Sequence, residues 1–80
     1  MEREVLTLEQ LHEEIQRRID SCTELGDQRR HCKAPRVYSL REPNADGCNW
    51  AVDVFHGPKE CAGVIESIVS QMRKFYNVHL

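Results

Sequence analysis

Residues 36–55 read Arg36-Val37-Tyr38-Ser39-Leu40-Arg41, then Glu42-Pro43-Asn44-Ala45-Asp46-Gly47, then Cys48-Asn49-Trp50-Ala51-Val52-Asp53-Val54-Phe55. The two outer runs alternate between apolar and polar residues, which is the pattern of a half-buried strand. The middle run holds residues that fix φ or tolerate a positive φ, as turns require. The stretch therefore predicts one antiparallel β-hairpin.

An amphipathic helix is predicted before the hairpin. Thr7 and Gln10 match a capping box, in which two side chains satisfy unpaired amides at a helix start. Apolar residues recur every three or four positions from Leu8 to Leu25 and form one face. Gly26 follows the last of them and can take the left-handed conformation that ends a helix. The first helix is therefore expected to extend to about Leu25.

A second helix is predicted after the hairpin. Gly57-Pro58 marks its start, because proline at the first helical position loses no hydrogen bond. Its apolar stripe consists of Cys61, Val64, Ile65, Ile68, Val69, Met72 and Phe75. The tail from Tyr76 to Leu80 alternates and could add a third strand, for which Glu4-Val5-Leu6 is the rival.

The order α-β-β-α predicts an α+β fold of two layers, with both helices covering one face of the antiparallel hairpin. Placing Leu40 opposite Trp50 and Tyr38 opposite Val52 collects the large apolar groups on the covered face. A two-stranded ribbon alone is marginal in water. Either a terminal strand or a second copy of the chain should therefore pair with it, so a homodimer is expected.

The reverse face of the hairpin would then expose three apolar residues. Val37, Ala51 and Phe55 fall on that face in the expected register. Adjoining exposed apolar groups usually contact a partner. They are therefore the candidate self-association patch, with isolated surface exposure as the alternative.

Length and charge exclude several classes of protein. A chain of 80 residues forms one domain at most, here residues 1–80. A net charge of −2 argues against general binding to nucleic acids or anionic membranes. The charged residues at the start of the sequence lack a secretion signal's apolar run, so we expect a cytoplasmic protein. The four cysteines are then expected to be mostly free thiols.

The predicted topology brings residues 31–36 close to residues 56–61, because antiparallel pairing places the start of one strand beside the end of the other. A Cys/His cluster could form there from His31, Cys32, His56 and Cys61. It could bind zinc, although no close cysteine pair supports a zinc site. It could instead act through a reactive Cys61 thiol near a helix start. Plain packing of these side chains is the third interpretation.

The same end of the hairpin is basic. Arg29, Arg30, Lys33 and Arg36 could bind a phosphate or an acidic peptide, helped by amides at the start of the second helix. A solvated basic loop is the alternative interpretation. Motifs for nucleotide binding, metalloprotease or serine hydrolase chemistry do not occur in the sequence, so nothing positive supports catalysis.

Three further segments carry a resemblance. They are His31-Cys32-Lys33-Ala34-Pro35-Arg36-Val37-Tyr38, Gly47-Cys48-Asn49-Trp50, and Gly57-Pro58 with Glu60-Cys61. Together the sequence resembles a group of short bacterial proteins that have no assigned activity. The resemblance implies no cofactor and no catalytic residue. The sequence thus predicts a small binding or regulatory module, with a metal- or thiol-dependent protein as the alternative.

Overall fold

The computed structural model describes residues 3–45 and 47–79, and it describes side chains at all of these except positions 24 and 28–30. Asp46, within the predicted turn, lies outside the described residues. Along the chain the elements are β1 (Glu4–Leu6), α1 (Leu8–Asp20), a 3₁₀ segment (Thr23–His31), β2 (Val37–Ser39), β3 (Trp50–Val52), α2 (Lys59–Met72) and β4 (Tyr76–Val78).

Two small ribbons take the place of the single expected sheet. β2 and β3 pair antiparallel as the predicted hairpin, and together with the two helices they confirm the α+β class. The terminal segments, which were rivals for a third strand, pair with each other instead. β1 lies parallel to β4, with Glu4 beside Tyr76 and Leu6 beside Val78. Both terminal segments are therefore strands, but in a ribbon of their own.

Pairing in the hairpin is offset by one residue from the expected register. Val37 lies opposite Val52, and Tyr38 lies opposite Ala51. Trp50 is fully buried as expected, but in β2 the buried side chain is Val37, which is 8% exposed, whereas Tyr38 is 37% exposed. A one-residue slip exchanges the two faces of a strand, so the predicted burial of Tyr38 is wrong. A tyrosine ring can stay half in water because its hydroxyl is polar.

Helix α1 begins at its predicted cap. The Thr7 hydroxyl oxygen accepts the Gln10 N–H at 3.1 Å, and Gln10 Oε1 accepts the Thr7 N–H at 3.0 Å. This is the complete capping box. Leu11, Ile15 and Ile19 are fully buried on the predicted face.

Helix α1 ends earlier than the sequence predicts. Ser21 Oγ donates to Arg17 O at 2.9 Å. Such a bond from a side chain to the preceding turn competes with continued helix. After Asp20 the chain continues as two short 3₁₀ turns within Thr23–His31, joined at Gly26, whose φ of 53° is left-handed. Gly26 therefore bends this segment rather than capping α1.

Helix α2 begins at Lys59, after Pro58, and shares one core with α1. Its buried residues are Cys61, Ile65, Val69 and Met72. They form a single cluster with the buried face of α1 and with Val37, Trp50 and Val78 of the strands. Phe75, expected in the stripe, lies beyond the helix and is 52% exposed. Among the described residues, no helix has the length and apolarity needed to cross a membrane.

Side chains at the start of β3 join the two ribbons. Asn49 Nδ2 donates to Val78 O at 2.9 Å, and the Val78 N–H donates to Asn49 Oδ1 at 2.8 Å. Trp50 Nε1 donates to Tyr76 O at 2.9 Å. Backbone groups alternate in direction along a strand, and those of Tyr76 and Val78 point away from β1. The Asn49 carboxamide thus occupies the position of a neighbouring strand.

A cluster of charges lies on the polar side of α1. Glu14 Oε2 accepts from Arg17 Nε at 2.9 Å, and Glu14 Oε1 accepts from Arg18 Nε at 3.0 Å. The hydrogen bond from Arg17, more than any other contact, holds the pKa of the Glu14 carboxyl below its ordinary value. A lowered carboxyl pKa means that the ionised form stabilises the fold.

Replacing Asn49 with alanine should destabilise the protein, because Val78 N–H and C=O would lose their partners in a buried position. An unpaired buried polar group costs about 1–3 kcal/mol, so Asn49→Ala should lower the free energy of unfolding by about 2–4 kcal/mol. Urea denaturation followed by Trp50 fluorescence measures this. Asn44→Ala, at an exposed turn position, is the control and should change it by less than about 0.5 kcal/mol. Equal losses in both variants would contradict the link.

The Glu14 cluster predicts a dependence of stability on pH. Its contribution is complete above the ordinary carboxyl pKa and is lost as pH falls through the lower value of the folded state. Glu14→Gln should therefore show a smaller loss of unfolding free energy between neutral and acidic pH than the wild type. Glu13→Gln, at an exposed neighbouring position, should keep the wild-type dependence. Identical pH profiles for Glu14→Gln and the wild type would disprove this role.

Candidate functional site

A disulfide links Cys32 to Cys61, and their Cα atoms are 5.6 Å apart. Cys32 directly follows the 3₁₀ segment, and Cys61 lies in the first turn of α2. The bond confirms that residues 31–36 and 56–61 converge. It contradicts the expectation that these two cysteines are thiols, whereas Cys22 and Cys48 do remain thiols.

The Gln16 side chain holds the segment after Cys32 against α1. Gln16 Nε2 donates to Cys32 O at 3.1 Å, and the Ala34 N–H donates to Gln16 Oε1 at 2.7 Å. His12 Nε2 lies 3.3 Å from Ala34 O. An extended segment with no strand partner thus has its backbone groups satisfied by side chains of a helix. Cys32 is positioned by these contacts as well as by its disulfide.

The other half of the site is the entry to α2. Pro58 occupies the cap position, where no side chain caps the helix. The N–H of Cys61 donates to Pro58 O at 3.1 Å. Just before it, the Phe55 ring folds over Gly57, where a Cβ atom would lie 2.7 Å from Phe55 Cζ. A larger residue at position 57 would therefore require the Phe55 ring to move.

The disulfide brings cationic residues from both halves to one end of the molecule. His31 and Lys33, the neighbours of Cys32, are exposed, and so is Lys59 at the start of α2. Chain geometry limits the Cα separation of Lys33 and Lys59 to about 15 Å. Both ammonium groups can therefore reach one small anion. The side chains of Arg29 and Arg30, which the sequence also assigned here, lie outside the described residues.

Arg36, the fourth residue of the predicted basic site, has an acidic partner. Arg36 Nε lies 3.2 Å from Asp53 Oδ2, and the two side chains are 75% and 51% exposed. The N–H of Asp53 also donates to Arg36 O at 2.9 Å, which closes the open end of the hairpin. An ion pair this exposed contributes at most about 1 kcal/mol. A ligand anion can therefore compete with Asp53 for the guanidinium.

The structure does not support the zinc hypothesis. Two of its four residues, Cys32 and Cys61, are joined to each other, and zinc binds thiolates rather than a disulfide. His31 and His56 are both exposed. Within residues 3–45 and 47–79, no group of three or more metal-binding side chains has suitable geometry.

The proposed self-association patch is not continuous. Val37 is buried in the core, because the shifted register turns it inward. Ala51 pairs with Tyr38 on the opposite face, and Phe55 is half buried over Gly57. The three residues therefore share no surface. Self-association remains a prediction from the sequence, but these three residues do not define a surface for it.

Sequence reasoning missed Gln16 and Lys59 as parts of this end of the molecule. Gln16 lies on the polar side of an amphipathic helix, where its pattern is that of any solvated residue. Lys59 precedes Cys61 by two residues, so the expected proximity of Cys61 to Cys32 was the one available signal.

Several solvent-open grooves lie along α2. One of about 590 Å³ is bordered by Cys22, Val64 and Gln71, and another of about 470 Å³ by Val54 and Phe55.

Comparison with known proteins finds no family model, no curated protein and no solved structure that matches this chain.

The disulfide predicts a fixed number of reactive thiols. Protein oxidised in air and unfolded in denaturant should react with iodoacetamide at two cysteines, and peptide mapping should place them at Cys22 and Cys48. Reduction before labelling should raise the number to four. Reduction should also lower the free energy of unfolding by about 2–4 kcal/mol. Labelling of Cys32 or Cys61 in the oxidised chain would contradict the pairing.

Proposed function

We propose that this chain is a small cytoplasmic binding or regulatory module that takes an anionic ligand, either a phosphate group or an acidic peptide. The proposed site is the basic end defined by Arg29, Arg30, Lys33 and Arg36, extended by Lys59. Its main support is the Cys32–Cys61 bond, which ties the basic segment to the start of α2.

The location favours an anion for two physical reasons. The disulfide keeps the Cα atoms of Lys33 and Lys59 within about 15 Å of each other, and an anion with several acceptor oxygens is attracted by both charges. The start of a 14-residue helix adds partial positive charge through its aligned peptide dipoles. Neither reason depends on the net charge of the chain, which is −2.

Acidic residues at the same end should limit the affinity. Asp53 competes for Arg36, and Glu60 is exposed in the first turn of α2. A ligand must therefore offer more than one negative charge or more than one acceptor oxygen to displace them. Because the cations are exposed, binding should weaken with increasing salt. This favours a phosphate group or a run of acidic side chains over a single carboxylate.

The thiol branch of the alternative function retains support from the disulfide, whereas the zinc branch does not. Cys32 and Cys61 are both fully buried, so neither sulfur is positioned to attack a substrate directly. A role for this pair is therefore better placed in controlling the shape of the site than in catalysis.

A pair of double variants with equal charge change tests the proposed site. Lys33→Ser/Arg36→Ser should weaken binding of inorganic phosphate or an acidic hexapeptide about tenfold, equivalent to ~1.4 kcal/mol. Arg41→Ser/Lys74→Ser removes two exposed cations elsewhere and should leave affinity within about twofold. Amide chemical shifts during titration give both affinities and show whether the fold is kept.

Equal weakening in the two double variants would mean that the chain attracts anions only through its overall charge. Absence of any saturable shift in the wild type with either probe would disprove the site. Adding Arg29→Ser and Arg30→Ser to the first variant should weaken binding further.

A further inference from the structure

The Cys32–Cys61 disulfide is the covalent connection between the two halves of the proposed anion site. One half is the basic segment around Lys33, and the other is the first turn of α2. The two remaining cysteines, Cys22 and Cys48, are thiols outside this disulfide, and the Cys48 thiol donates to Trp50 O at 3.4 Å.

The two halves are held in place unequally. The Cys32 half is bonded to α1 through both ends of the Gln16 carboxamide. The α2 half has no side-chain cap at Pro58 and follows an irregular segment, residues 53–58, that is exposed or half buried. Helix ends without caps fray. Loss of the disulfide should therefore increase local opening most where few other contacts hold the chain. Breaking the disulfide should therefore loosen the first turn of α2 and leave the Cys32 segment on α1.

We propose that this disulfide is a redox switch for the anion site, an inference that depends on the function proposed above. In the oxidised chain, Lys59 and the helix-start amides are held beside Lys33. In the reduced chain, the first turn of α2 opens, these groups separate, and binding weakens. The apparent affinity falls in proportion to the fraction of molecules in the competent arrangement.

The reaction is thiol–disulfide exchange with a dithiol. A thiolate of the dithiol attacks one sulfur of the pair, the protein S–S bond breaks, and the departing cysteine sulfur takes up a proton. The second thiolate of the dithiol then displaces the other cysteine from the mixed disulfide. The protein gains two electrons and two protons as two thiols, and the dithiol becomes a disulfide. A cellular dithiol or thiol pool is the corresponding partner in a cytoplasmic setting, where disulfides are usually transient.

Both cysteines are buried, so exchange must wait for the site to open. The exposed segment before α2 provides the least costly opening, because few buried contacts hold it. Reduction should therefore be slower than that of an exposed disulfide.

The test compares oxidised and reduced protein, with inorganic phosphate and an acidic hexapeptide as probes. Dithiothreitol is the reductant, since it is uncharged and does not compete for a cationic site. We expect reduction to weaken binding about tenfold, which corresponds to a competent fraction of about one tenth. Hydrogen exchange should accelerate at the amides of residues 59–62 by more than at those of Leu11 to Ile19 in α1, where any acceleration reflects only the lower global stability.

Two variants separate the switch from other thiol effects. Cys22→Ser/Cys48→Ala lacks the free thiols and should respond to dithiothreitol as the wild type does. Cys32→Ala/Cys61→Ala should bind like the reduced wild type and should not respond. If this second variant fails to fold, the wild-type comparison alone decides the result.

The outcomes distinguish the two proposals. Equal affinity in both redox states, or unchanged exchange at residues 59–62, would overturn the switch while leaving the binding site intact. Absence of binding in both states would overturn the proposed function, and the switch with it. Weaker binding on reduction together with faster exchange at residues 59–62 would support both.

Discussion

The buried carboxamide of Asn49 joins the two ribbons, each of which would be weak alone. Each ribbon has two strands of three residues, and such ribbons are marginal in water. A carboxamide carries the same donor and acceptor as a peptide group. Asn49 therefore satisfies both backbone groups of Val78 without a third strand. The neighbouring residue, Trp50, donates to Tyr76 O. This second contact with β4 holds the largest buried side chain of the core in place.

The Gln16 carboxamide satisfies backbone groups in the same way, in the segment that follows Cys32. The segment after Cys32 has no strand beside it, and the Gln16 carboxamide accepts from Ala34 and donates to Cys32. Helix α1 can provide this fixed support because its own start is closed by the Thr7 capping box. The position of the basic segment thus depends on a polar contact with a helix, and not only on apolar packing.

The local features of the fold could be predicted from the sequence. The capping box, the apolar faces of both helices and the hairpin all depend on neighbouring residues. The hairpin register could not be predicted, because either face of β2 offers apolar side chains: Val37 on one, and Tyr38 with Leu40 on the other. The pairing of Glu4–Leu6 with Tyr76–Val78 joins distant parts of the chain, and a three-residue strand leaves no periodic signal for its partner.

The approach of Cys32 to Cys61 was predicted, but the bond between them was not. Topology alone brings Cys32 toward Cys61, since a hairpin returns the chain to its starting end. Whether two nearby cysteines are joined depends on their separation and orientation, to within a few ångströms, and sequence does not give these. The expected cytoplasmic location argued for thiols over a disulfide, so zinc binding, a reactive thiol and plain packing were the interpretations of the cluster. The position of Lys59 beside the basic segment then follows only from the bond itself.

The proposed binding end differs from the rest of the protein in how it is held. Elsewhere, α1, α2, Trp50 and Val78 share a continuous apolar core. At this end, Cys32 and Cys61 still belong to that core, and the polar contacts include the Gln16 carboxamide, the exposed Arg36–Asp53 ion pair and the Asp53 N–H bond to Arg36 O. An exposed ion pair contributes little, and a carboxamide acts on one segment only. Across this end, the disulfide adds a covalent bond to that packing, and it is a bond that thiol chemistry can break and reform.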